Sequence, residues 1–88
     1  MIGNLIMPEL KELIRQRNFN GLREILCNFH ASDIAEIFVD LTSDDEAVLL
    51  RLLPRELAAE VFEYLPVADQ EKMLRALGTE HVAQILND

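Results

Sequence analysis

The chain of 88 residues has no tryptophan, one tyrosine, three glycines, three prolines and one cysteine. Each shortage excludes something. Cys27 has no second cysteine to pair with, and no cysteine cluster has metal-binding spacing. A reducing compartment is therefore the expected home, and Cys27 reads as a small apolar residue in a helix. Gly3, Gly21 and Gly78 stand singly, so no glycine-rich phosphate loop exists. There is no nucleophile elbow and no favourably spaced cysteine–histidine arrangement, so the chain is not expected to be an enzyme. No apolar stretch approaches the roughly 18–20 residues that cross a bilayer. The opening Met1–Met7 lacks the basic and long apolar regions of a secretory signal. The chain by itself is thus expected to be soluble.

Positive charge is also scarce. Eight Lys and Arg face sixteen Asp and Glu, for a net charge of −8. The imbalance is regional: residues 1–29 carry four bases and three acids, whereas residues 30–88 carry four bases and thirteen acids. An anionic body repels phosphate backbones, so nucleic acid is not an expected partner. It attracts cations or a basic partner instead.

What the chain does have is a repeat. Asp33–Leu41 (DIAEIFVDL) returns 24 positions later as Leu57–Leu65 (LAAEVFEYL): Ala59 falls on Ala35, Glu60 on Glu36, Val61 on Ile37, Phe62 on Phe38 and Leu65 on Leu41. Another 24 positions on, Ala83, Gln84, Ile85 and Leu86 continue the series. The segments between also match, with Asp45 on Asp69, Leu49 on Met73, Leu50 on Leu74, Arg51 on Arg75 and Leu53 on Leu77. A degenerate earlier copy places Leu13 and Ile14 before Ile37 and Phe38, and Ile25, Leu26 and Phe29 before Leu49, Leu50 and Leu53. A fixed period of this length marks stacked copies of one supersecondary unit.

The unit is helical. Ile34, Ile37, Phe38 and Leu41 lie at i, i+3, i+4 and i+7, and Ala58, Val61, Phe62 and Leu65 repeat that face. Ser43 to Glu46 reads as a capping box. Pro8, Pro54 and Pro66 read as helix openers. Gly78 suits a helix C′ position, Thr79 the next N-cap, and Asn18–Gly21 a polar turn. The predicted helices are about 8–17, 20–29, 33–41, 44–53, 55–65, 67–77 and 80–87. Helices this short span only about 15 Å and bury their apolar faces by stacking on the next unit. The expected fold is all-α: a right-handed superhelix of short helical hairpins with about seven helices, forming a single domain over 1–88 that is truncated within its last hairpin. Val82, Ile85 and Leu86 would then be partly uncovered unless the last helix caps the array.

His30-Ala31-Ser32-Asp33-Ile34-Ala35-Glu36, then Arg51-Leu52-Leu53-Pro54 leading into Leu57-Ala58-Ala59-Glu60-Val61, then a third leucine-rich hairpin and His81-Val82-Ala83-Gln84-Ile85-Leu86, follow in an order and spacing that carry a family likeness. Over about residues 9–88 the chain resembles the N-terminal cytosolic domain of MgtE-type magnesium transporters. The resemblance implies a compact right-handed superhelix at the cytoplasmic face of the membrane. Its partners would be CBS domains and a transmembrane channel of the same parent chain, itself a homodimer. It further implies a gating role: Mg²⁺ bridging this domain to the CBS domains keeps the pore shut. The same helical repeat also resembles that of the flagellar motor protein FliG, so a protein–protein interaction module is the alternative.

For metal-binding residues the resemblance points to Glu60, at the family's Ala-Ala-Glu position on the polar side of its helix. Glu36 is its repeat equivalent. Mg²⁺ is the expected ion, since it takes oxygen donors and keeps several waters. Asp44, Asp45 and Glu46 form the densest acidic run, which helix capping explains. His30, Asp33 and Glu36 lack the i, i+4 spacing of a zinc site, and helix initiation accounts for them better. His81 stands near a helix N-terminus with no evident partner.

Overall fold

A computed structural model describes residues 2–87, with side chains from residue 7 onward. Within them the chain forms seven helices and no strand: α1 (Ile2–Arg15), α2 (Phe19–Leu26), α3 (Ala31–Val39), α4 (Ser43–Leu52), α5 (Arg55–Tyr64), α6 (Val67–Leu77) and α7 (Glu80–Asn87). The period survives in three dimensions. Helices α2, α4 and α6 start 24 residues apart, and so do α3 and α5.

Alternate helices stack. Odd helices form one row, α1 on α3 and α3 on α5; even helices form the other, α2 on α4 and α4 on α6. Two rows of this kind are what a superhelix of hairpins requires. Helix α7 leaves the pattern, since its principal packing is against α4 and α6. Its Val82 is buried, while Ile85 and Leu86 are half-buried against the same core. The last helix therefore caps the array. The Cα radius of gyration, 11.8 Å, equals that of a closed domain of this length, about 12 Å.

The core runs along both rows through Leu10, Leu22, Leu26, Ile34, Ile37, Phe38, Leu49, Val61, Met73 and Val82. Two long-range ties fix the helix ends. Arg23 Nε donates to the Leu52 carbonyl at 2.7 Å, and Gln70 Nε2 donates to the Phe62 carbonyl at 2.7 Å. Each supplies a side-chain donor to a carbonyl in the last turn of a helix, where the regular i→i+4 bonds run out.

Local chemistry departs from expectation at several points. Pro8 lies inside α1, which begins upstream of it, and costs that helix one i→i−4 bond. The turn after α1 is at Gln16–Arg17. Arg17 takes φ 56°, its N–H bonds the Ile14 carbonyl at 3.0 Å, and the Asn18 N–H bonds Leu13 at 2.9 Å. That pair of bonds is a Schellman motif with arginine where glycine is usual. Asn18 then caps α2, accepting from the Gly21 N–H at 3.0 Å. Pro54 and Pro66 do open helices, as the N-cap residues of α5 and α6. Gly78 ends α6 without a positive φ. Cys27 is not buried in a helix: it is the exposed C-cap of α2. Leu74, which the repeat aligns with Leu50, is 58% exposed, at the edge of a shallow depression that it lines with Leu50, Ala58 and Phe62. The expected break of the last hairpin after Asp88 lies outside the described residues.

Candidate functional site

Glu36 and Glu60 occupy equivalent positions on α3 and α5, two helices packed directly together. Both are exposed. On α3 the apolar face Ile34, Ile37 and Phe38 is spent on the core, and this rotates Glu36 outward. On α5 the burial of Val61 does the same for Glu60. The next residue in the series, Gln84 on α7, is neutral. The repeat thus presents one carboxylate per odd helix and then stops. Glu36 also lines a depression of about 330 Å³ with Ser32, Ala35, Val39, Tyr64 and Pro66. Val39 and Tyr64 there are 42% and 62% exposed, so the carboxylate borders an apolar surface.

Among the described residues no group of three or more His, Cys, Asp or Glu is arranged to hold a metal ion. Glu36 and Glu60 are therefore single oxygen donors with open surroundings. Such donors fit an ion that retains water and takes its remaining ligands from another surface. His30, Asp33 and Glu36 are not gathered into such a group. His30 is the N-cap of α3, although its side chain makes no capping bond.

The acidic run at 44–46 is divided three ways. The cap of α4 is Thr42, one residue earlier than expected: its Oγ1 accepts from the Asp45 N–H at 3.2 Å. Ser43 is already helical, so the expected reciprocal bond from Glu46 to Ser43 does not form. Asp44 faces His81 of α7, Oδ2 to Nε2 at 3.7 Å, which gives His81 the partner that sequence reading missed. Glu46 turns inward. It is 2% exposed, and its Oε2 has no hydrogen-bond partner. Burial pushes its carboxyl up to about 7, helped by the charge of Asp69 and opposed by Lys72. Repeat equivalence held the signal for this: Leu22, Glu46 and Gln70 share one position, and Leu22 is fully buried.

Residues 29–88 match the family model described as the MgtE intracellular N domain. Over 61 residues, 69% of the chain, the sequence is 33% identical to the magnesium transporter MgtE of Thermus thermophilus, a match that spans 14% of that protein. The chain thus corresponds to a small part of that relative's length. No solved structure matches the chain.

Proposed function

The chain belongs to the MgtE intracellular N domain family, and from that membership we propose that it is the magnesium-responsive gating module of a membrane magnesium transporter. Its place is at the cytoplasmic face, against CBS domains and a transmembrane channel of a homodimeric parent. The observation that carries this reading is the pair Glu36 and Glu60, exposed at one repeat position on stacked helices. Residues 30–88 bear thirteen acids against four bases. Such a surface repels another acidic surface. Magnesium bound between the two supplies the charge that offsets the repulsion.

Glu60 is the first ligand on this domain and Glu36 the second. Each contributes one carboxylate oxygen and leaves the other positions to water and to the partner surface. The two domains then have two arrangements, together and apart. Their balance moves only by the difference in magnesium affinity between those arrangements.

An affinity comparison tests the proposal. Calorimetric titration of the isolated 88-residue chain with Mg²⁺ is expected to show much weaker binding than the transporter that carries the domain, because the partner ligands are missing. Equal affinity in the two would place the whole site within this chain and overturn the bridging account.

A further inference from the structure

The α3–α4 and α5–α6 hairpins are copies, with both helix starts displaced by 24 residues. In the second copy Gln70 reaches back eight residues and donates its Nε2–H to the Phe62 carbonyl at 2.7 Å. In the first copy the equivalent side chain is Glu46 and the equivalent carbonyl is that of Phe38. Each carbonyl also closes the end of its helix: Phe38 accepts from the Leu41 N–H at 3.0 Å and Phe62 from the Leu65 N–H at 3.2 Å. The Asp40 N–H is turned toward the Ile37 and Phe38 carbonyls together, but its well-aligned bond is to Ile37, at 3.2 Å, so each phenylalanine carbonyl keeps room for a further donor. An ionised carboxylate is an acceptor only and cannot pair with a carbonyl; a protonated one carries an O–H and can. Glu46 Oε2 is buried and lacks any partner, the condition that costs most in a folded chain.

We propose that Glu46 is a proton-operated latch across the α3–α4 hairpin: protonated, it donates to the Phe38 carbonyl as Gln70 donates to that of Phe62; ionised, it releases that carbonyl. Charges on the packed helices shape the balance. From α6, Asp69 disfavours the ionised form and Lys72 favours it. From α2, Arg23 is committed to the Leu52 carbonyl at the other end of α4. From α7, His81 faces Asp44, a neighbour of Glu46 on α4. Burial raises the Glu46 carboxyl from 4.5 to about 7, so the folded state holds a proton that the unfolded state releases. Stability from this group is complete below about pH 4.5 and is lost as pH rises through about 7.

The test compares the wild-type chain with Glu46→Gln and Glu46→Leu across that range. Glu46→Gln keeps a donor at every pH, and Glu46→Leu copies Leu22 and keeps none. Relative to Glu46→Gln, the unfolding constant of the wild type is expected to rise on the order of a hundredfold between about pH 4.5 and about pH 8. The ¹³C shift of the Phe38 carbonyl is expected to titrate near pH 7 in the wild type and to stay flat in both variants. In Glu46→Gln that shift should sit at the low-pH wild-type value. A Glu46 carboxyl carbon that titrates at its ordinary value overturns the latch. So does a wild-type Phe38 carbonyl that does not respond, or a Glu46→Gln chain that fails to fold.

Discussion

The α3–α4 and α5–α6 hairpins share sequence positions and helix starts, although α5 and α6 each run one residue further than α3 and α4, and they are not equally covered. Ala35 is buried and Ala59 exposed; Phe38 is fully buried and Phe62 half-buried; Leu50 is half-buried and Leu74 58% exposed. The first copy has stacked neighbours on both sides, α1 before α3 and α5 after it. In the second, α5 stacks on α3 and α6 on α4, and α7 turns in against α4 and α6 instead of continuing the odd row beyond α5. Burial in a repeat array is thus set by rank in the stack as much as by residue type. The copies also differ chemically. The first is capped by the Thr42 hydroxyl and holds the buried Glu46; the second is opened by Pro66 and held by Gln70.

Substitutions at paired positions break or sharpen this contrast. The largest effect is expected at the aromatic pair. Phe38→Ala empties a fully buried site and should cost about 3–5 kcal/mol, whereas Phe62→Ala should cost less than half as much. Denaturant unfolding of the two variants measures the gap, and equal losses would show that the second copy is as well covered as the first. Next come the polar devices. Gln70→Ala removes the bond to the Phe62 carbonyl and Thr42→Ala removes the α4 cap, and each should cost about 1 kcal/mol. Gln70→Glu is more informative than either. It writes the first copy's chemistry into the second and should make stability there fall with rising pH, seen as a new slope in a pH series of melting curves. The smallest effects belong to the surface. Leu74→Gln and Glu60→Ala should each change stability by less than about 0.5 kcal/mol.

Much of the fold could be read from the repeat alone. Helices α5, α6 and α7 lie within a residue of their expected spans, since Pro54, Pro66 and Thr79 mark their starts chemically. Precision falls where start signals compete. Thr42 and Ser43 are both good caps, and the backbone decides for Thr42 by holding it extended, with φ −69° and ψ 160°. Arg17 gave no warning of its left-handed turn, because the motif is fixed by the Ile14 and Leu13 carbonyls and not by a glycine. Outward placement of Glu36 and Glu60 was legible from the apolar faces beside them. Inward placement of Glu46 was masked by its two acidic neighbours, which made the run resemble a solvated cap. Only its alignment with Leu22 pointed to the core. The contact of His81 with Asp44 depends on α7 leaving its row, and no local pattern encodes that.

The most direct measurement of the proposed role replaces Glu60 by Ala in a transporter that carries this domain and records channel closure against intracellular magnesium. The bridging account predicts that closure requires more magnesium in the variant, with Glu36→Ala giving a shift in the same direction. Unchanged magnesium dependence in Glu60→Ala would contradict it.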